Sequence, residues 1–253
     1  MNRALLEAIN IQLKREDFFY PSIRAVIFEK LSEKFESKPL SDILVNNRGG
    51  SWGDDLKAGL LPAHSLRSPD IRHGSIDYSR AAVRYYTKQE LDKHQLKKGD
   101  ILVIKSNGSL DLVGKSQIYM PRPSDPPTTA SNFILILTPN QQIIDPLYLD
   151  CFLKSPQGLM WRVDKQRTTT GLRNLDTAGY LATSVPIPPS LDAQVEILNL
   201  MSQIDKNNWV ENPYFDVAPI KLLRNLQDLK SEIENSKNQF DDLLQASLRK
   251  MFP

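Results

Sequence analysis

Residues 168–197 read TTTGLRNLDTAGYLATSVPIPPSLDAQVEI, and nothing among them looks catalytic. A polar Thr/Arg/Asn cluster around Gly171 runs into a short helix-like piece and then an apolar, strand-like one. The elbow Pro186-Ile187-Pro188-Pro189 follows, and beyond it the apolar residues take helical spacing. Proline continues neither a central strand nor a helix already under way, so this run marks a joint between two differently built regions. The contrast across the joint decides the fold class.

On the C-terminal side, residues 191–204 read as a helix and KNNWVENPYFDVAP (206–219) as an irregular interruption. IKLLRNLQDLKSEIENSKNQFDDLLQASLRKMF (220–252) then holds neither Pro nor Gly. Leu222, Leu226, Leu229, Ile233, Ser236, Phe240, Leu243 and Ser247 recur in alternating steps of four and three, with Met251 four further on, the period of a coiled-coil seam with serine layers. At about 1.5 Å per residue such a helix is roughly 50 Å long. A domain of this size cannot easily cover it, so a partner helix is expected and Leu222, Leu226, Leu229, Ile233, Phe240 and Leu243 are candidate dimerisation residues. A long helix packed back on its own domain is the alternative.

On the N-terminal side the texture is mixed. PSIRAVIFEKLSEKF (21–35) reads as an amphipathic helix, with Pro21 in the first turn and Ile23, Val26, Ile27, Leu31 and Phe35 at helical spacing. From Pro39 onward, short apolar runs are broken by Gly, Pro and Asn. KKGD turns into the strand ILVIK (101–105), and SNGS (106–109) suggests a hairpin into DLVGKSQIYM. NFILILTPN (132–140) reads as a buried strand and PRPSDPPTTA (121–130) as a loop. Thr87 and Glu90 form a capping box opening a helix toward His94. Asp145-Pro146 starts another through Leu153, and Ser155-Pro156 a third through Val163. The expected fold is α+β: a helical segment over 1–38, a mixed α/β domain over 39–190, and a helical region over 191–253 ending in a long coiled-coil helix.

Composition narrows the function classes. With 40% hydrophobic and 25% charged residues the chain can bury a core. No run approaches the roughly 18 apolar residues of a membrane span, and the first residues lack a signal-peptide stretch, so a cytoplasmic protein is expected. Cys151 is the single cysteine, which excludes an internal disulfide or a cysteine metal cluster. Net charge is only +2, but residues 41–190 carry 18 Lys/Arg against 14 Asp/Glu, while 191–253 carry 7 against 10. A mildly basic domain on an acidic helical region suits DNA at the former, though many ordinary surfaces are as unbalanced.

Catalytic motifs are fragmentary. Asn212-Pro213-Tyr214-Phe215 and Asp125-Pro126-Pro127-Thr128 each hold part of the Asp/Asn-Pro-Pro-aromatic motif that grips a flipped base, and neither follows a Gly-rich cofactor loop. Asp70 and the Glu90/Asp92/Lys93 group could be arranged for metal-dependent cleavage, but a solvated helix face accounts for them more simply. His64, His73 and His94 have no ligand spacing. RGGSWG (48–53) has glycines enough for a close backbone approach but lacks the Lys-Ser/Thr of a phosphate loop.

What remains is a set of polar loops suited to nucleic acid. Arg48, Ser51 and Trp52 share one; Arg80, Arg84, Tyr85 and Tyr86 combine guanidinium forks with aromatics; Lys105, Ser106, Asn107 and Ser109 sit at a hairpin tip. Arg162, Lys165, Arg167 and Thr168, Thr169, Thr170 run into Arg173 and Asn174. Arginine pairs bidentately with guanine and asparagine with adenine, while Lys, Ser and Thr hold phosphates. The candidate DNA contacts are Arg48, Ser51, Arg80, Arg84, Tyr86, Lys105, Asn107, Arg167, Thr169, Arg173 and Asn174. Trp52 and either tyrosine could equally anchor the core.

Gly171-x-x-Asn174-Leu175, a short helix, Val185 to Pro189, and Gln194-x-x-Ile197 follow one another in an order that resembles the specificity subunits of type I restriction-modification enzymes. GDILVIKSNGSLDLVGK (99–115) and SNFILILTPN (131–140) look like that family's central strands, and SKNQFDDLLQASLRKMF (236–252) is similar to the end of its helical region. The resemblance covers about residues 39–252. It implies a non-catalytic target-recognition domain that reads one half of a bipartite double-stranded DNA site for phage defence. It also implies a helix that spaces the halves and docks methyltransferase subunits, with a restriction (motor) subunit joining for cleavage. S-adenosylmethionine would be carried by the methyltransferase, and this chain would need no cofactor. Full-length members carry two recognition domains; one per chain resembles the half-length form and implies a homodimer. Asp192-Ala193-Gln194 stands where Glu-Gln is commoner, and residues 1–38 match nothing in the family. A stand-alone DNA-binding regulator, or a small nuclease or methyltransferase with unrecognised motifs, is the alternative function.

Overall fold

The computed structural model describes residues 19–205, except 73–74, 110–111, 122–123, 159–165 and 170–171, together with positions 232, 235–236 and 239. In chain order the elements are α1 (Phe19–Lys34), β1 (Ser37–Pro39), β2 (Leu44–Gly49), β3 (Leu61–Leu66), β4 (Ile71–Arg72), β5 (Ser75–Ile76), β6 (Ala82–Tyr86) and α2 (Lys88–His94). Then come β7 (Ile101–Ile104), β8 (Ser106–Asn107), β9 (Ser116–Ile118), β10 (Thr128–Ala130), β11 (Ile134–Pro139) and α3 (Pro146–Leu153). β12 (Gln166–Thr169), β13 (Leu172–Leu175), α4 (Thr177–Leu181), β14 (Ser184–Pro186) and α5 (Leu191–Asp205) complete the series.

Two apolar runs build the centre. β11 lies between β2 and β7, with β9 beyond β7, each pair antiparallel. Ile101, Val103, Leu135 and Leu137 join one core with Val26, Ile27, Phe28 and Leu31 of α1, Tyr148 and Phe152 of α3, and Ile197 and Leu200 of α5. Leu102, Ile104, Ile134 and Ile136 join a second core with Leu66, Ile71, Leu96, Tyr119 and Ala130. Both faces of these strands are therefore buried, which is why ILVI and ILIL show no polar alternation. α1 is part of this core: the Phe28 ring sits edge-on to Tyr148 at 5.7 Å and to Phe152 at 5.1 Å. Burying side chains of this size stabilises by about 1.5–3 kcal/mol each.

The local helix signals hold. Thr87 and Glu90 cap α2 reciprocally, and Asp145 accepts from the amides of Leu147 and Tyr148 to open α3. A helix also starts at Pro156; its course beyond Gly158 lies outside the described residues. Two expectations change. The 121–130 segment is not loop throughout, because Thr128–Ala130 pairs parallel with β3 in a sheet ordered β10-β3-β6. Ser106–Asn107 is not a bare hairpin tip, because it pairs with β13. Strands of two or three residues are too short to carry a readable period.

The joint has a structural meaning. β13 joins β12 to β8, α4 follows it, and β14 then pairs antiparallel with β1, Ser37 opposite Pro186. The chain thus returns to the strand that follows α1 before launching α5. Gln194 secures that launch: its side chain is fully buried, Oε1 accepts from Asp145 N at 2.7 Å and Nε2 donates to Ile143 O at 2.9 Å. The expected seam residues Leu222, Leu226, Leu229, Ile233, Phe240 and Leu243, the interruption at 206–219 and the first 18 residues lie outside the described residues. Among the described residues no helix is long and apolar enough to cross a membrane.

Candidate nucleic-acid interface

Six of the candidate residues, drawn from two distant parts of the sequence, come together on the β12-β13-β8 sheet or beside it. Arg167 stands opposite Asn174 and Thr169 opposite Leu172, while Arg173 faces Asn107 and Asn174 faces Ser106. Lys105 immediately precedes β8, and its carbonyl accepts from Leu175 N. The Ser106 hydroxyl donates to Asn174 Oδ1 at 2.6 Å, fixing that amide. The Asn107 Oδ1 accepts from Ser109 N at 2.8 Å, so the group it has to offer is chiefly its NH2. Arg173 and Lys105 are half-buried and Arg80 is exposed; no described carboxylate pairs with any of the three.

A cleft of about 530 Å³ opens next to this sheet, walled by Trp52, Pro69 and Phe133, with Arg67, Asn107 and Ser131 contributing polar groups. The Ser131 hydroxyl is buried there without a hydrogen-bond partner. Segments from four parts of the chain meet at this cleft, because β11 and β8 are tied through Phe133, whose carbonyl accepts from the amides of Lys105 and Ser106.

The arginines divide by how much of each fork is already engaged. Arg48 lies in β2, not in an open loop: Nη1 donates to Thr138 Oγ1, and Nη2 to the Asp100 carboxylate at 3.0 Å and to Gln95 O. All three Arg84 nitrogens are taken, by the Trp52 and Gly53 carbonyls and by Asp55, and its guanidinium stacks over the Trp52 ring at 4.9 Å. Arg84 therefore fastens the 52–55 loop. Arg67, absent from the sequence-derived candidates, holds its fork less completely. Nε donates to Asp70 Oδ2 at 3.3 Å and Nη2 to the Arg80 carbonyl at 2.7 Å, while no described residue takes Nη1. Ser68-Pro69-Asp70, a turn with Pro at its start and an acidic residue at its third position, was the available signal.

Tyr86 requires a correction. Its side chain is fully buried, and its hydroxyl bonds the Ser51 carbonyl at 2.9 Å and Thr129 Oγ1 at 2.8 Å, so no ring face is open to a base. The glycines of RGGSWG make close approaches, but to the chain itself. A Cβ at Gly50 would lie 2.2 Å from the Ala130 carbonyl oxygen, and one at Gly53 2.6 Å from the Tyr86 ring. Ser51 offers its carbonyl to that same ring hydroxyl.

The carboxylates considered for cleavage are occupied locally. Asp70 is buried and accepts from Arg67 N, Glu90 caps α2, and Asp92 pairs with Lys88. Hydrogen bonds from Thr87 hold the Glu90 carboxyl below its usual range. Among the described residues no three His, Cys, Asp or Glu side chains are grouped to hold a metal. Burial, and then the neighbouring Lys93 and Arg48 cations, push His94 below the ordinary histidine value.

No family model matches the chain. It is 24% identical over 178 residues to the specificity subunit of the type I restriction enzyme EcoKI of Escherichia coli strain K12, a match covering 70% of this chain and 37% of that protein. The chain is thus similar in sequence to a type I restriction specificity subunit. It spans well under half of that relative's length, and the matched region exceeds any single motif. A chain in a structure described as the basis of complex assembly and conformational transition of the type I R-M system shares its fold. The TM-score is 0.51 at 12% identity, over 87% of this chain and 50% of that one. The HsdS subunit from Thermoanaerobacter tengcongensis aligns with a TM-score of 0.44 and 12% identity, over 89% of this chain and 52% of that one.

Proposed function

We propose that this chain reads DNA sequence as the specificity subunit of a type I-like restriction-modification complex and performs no chemistry itself. The observation that carries the reading is convergence. Asn107, Arg173 and Asn174 share one small sheet that Lys105 adjoins, and the neighbouring cleft adds Trp52 and Arg67, in a chain similar to a restriction specificity subunit. Lys105 and Arg173, which no described carboxylate pairs with, lie next to fixed amides and suit a duplex, whose phosphates take the charge and whose base edges take the amides. Residues 39–190 would read one half of a bipartite site. Residues 191–253 would set the spacing between halves and dock a methyltransferase subunit, which brings S-adenosylmethionine, with a restriction subunit joining for cleavage. In this reading the protein acts in the cytoplasm.

Pairing of two copies through the 220–252 seams is part of this reading. A twofold axis through antiparallel seams would make the target an inverted repeat around a non-specific spacer. The test is co-purification with the methyltransferase followed by mapping of methylated bases. A symmetric bipartite motif is expected, and replacing Leu226, Leu229 and Ile233 with charged residues should give a monomer by light scattering. Methyl transfer by the purified chain alone would overturn the reading. Replacing Arg80, Lys105 and Arg173 with alanine should weaken binding and flatten its salt dependence while leaving the melting temperature near that of the unaltered protein. Unchanged binding would remove this surface from the interface.

A further inference from the structure

We infer that Arg67 is a specificity-determining residue that reads a guanine, an assignment that rests on the DNA-reading function proposed above. The argument begins with what fixes a guanidinium. Arg67 extends from the end of β3, and the Ser68-Pro69-Asp70 turn folds the chain so that Asp70 lies beneath it. The Asp70 carboxylate is 2% exposed and accepts from both Arg67 N at 2.8 Å and Arg67 Nε at 3.3 Å. The Arg80 carbonyl takes Nη2 at 2.7 Å from the other side. An arginine has five N–H donors in a planar fork. Two contacts of this kind set the plane of the fork and still leave donors on Nη1 and Nη2. The side chain remains 41% exposed and lines the cleft.

A fork held in this way suits a base better than a phosphate. Phosphate contacts tolerate a swinging side chain, whereas base discrimination needs a donor pair held in one plane. Guanine is the base whose major-groove edge presents two adjacent acceptors, O6 and N7, to such a pair. The surroundings sharpen the choice. Trp52, Pro69 and Phe133 wall the cleft, so a base that failed to accept would leave buried donors unpaired. Arg48 and Arg84 cannot serve: Arg48 is bound to Asp100, Thr138 and Gln95, and Arg84 has every nitrogen engaged. Asp70 acts as a positioning residue, through Arg67.

The experiment is selection of bound duplexes from a randomised library by the full chain, together with its methyltransferase where the two co-purify. Unaltered protein, Arg67→Ala, Arg67→Lys and Asp70→Asn are compared. The unaltered protein should enrich a motif containing a guanine preferred on the order of 5- to 150-fold over other bases. Arg67→Ala should lose that preference at one position and keep the rest of the motif. Arg67→Lys keeps the charge and the pairing to Asp70 but not the fork, so it should retain only a fraction of the preference. It also serves if the alanine variant folds poorly. Asp70→Asn should blur the same position. An unchanged motif from Arg67→Ala overturns the assignment. Uniform weakening across all sequences, with the salt slope reduced by about one, also overturns it, because that marks a phosphate contact. If the unaltered chain enriches no motif at all, the DNA-reading function fails and this assignment fails with it.

Discussion

Replacing Arg48 with alanine tests whether this residue belongs to the core or to the DNA surface. Its fork holds Asp100, whose carboxylate is 1% exposed, while the Arg48 side chain itself is 17% exposed. Breaking a buried pair from one side costs about 3–5 kcal/mol, because a charge is left without its partner. Asp100 would keep two hydrogen bonds, from Thr138 Oγ1 at 2.7 Å and Lys97 N at 2.9 Å. Those contacts place Arg48→Ala at the lower end, about 3 kcal/mol. For a chain of this length about 2–4 °C is lost per kcal/mol, so the melting temperature should fall by roughly 6–12 °C. Arg48→Lys should recover part of the loss, since an ammonium can reach Asp100 but cannot also reproduce the fork to Thr138 and Gln95. Circular dichroism melts and urea titration measure this, with the urea slope expected to stay constant. A melting temperature within about 1 °C of the unaltered protein, combined with weaker DNA binding, would refute the reasoning and return Arg48 to the interface.

Gly53→Ala should cost about 1–3 kcal/mol, because φ is +69° and the added Cβ would meet the Tyr86 ring; an unchanged urea midpoint would contradict the loop geometry. Gln194→Ala should cost about 2–3 kcal/mol by stranding the buried Asp145 N–H and Ile143 carbonyl. Gln194→Glu, which can still accept but not donate, should not restore the loss, and stability equal to the unaltered protein in either variant would refute the clamp. His94 has a folded-state pKa below its ordinary 6.5. Its contribution to stability is therefore present above that value and lost as the pH falls through the folded pKa, because the unfolded chain takes up the proton more readily. His94→Asn should flatten this part of the stability-versus-pH curve, and an unchanged slope would exclude the histidine as its source.

The sequence by itself determined the features whose causes are local. ILVI announced a strand and ILIL a buried one, and the structure shows why neither alternates with polar residues: both faces are covered. The Thr87–Glu90 box and the Asp145 cap were legible because donor and acceptor lie within one helical turn. The joint at 168–197 was legible through its glycine and prolines, which restrict the backbone wherever they occur. What the arginines do was decided only by the tertiary structure. Arg48 bonds a threonine 90 positions away, and Arg84 an aspartate 29 positions away, so neither partner is visible beside it in the chain. Tyr86 looks like a surface aromatic until β10 brings Thr129 to its hydroxyl. Arg67 looks like any loop arginine until the turn at Ser68–Asp70 and the Arg80 carbonyl, 13 positions on, close around its fork. A cap or a strand period is set by neighbours that the chain cannot separate. Whether a charged side chain is spent inside the fold or left for a ligand depends on which distant groups folding brings to it.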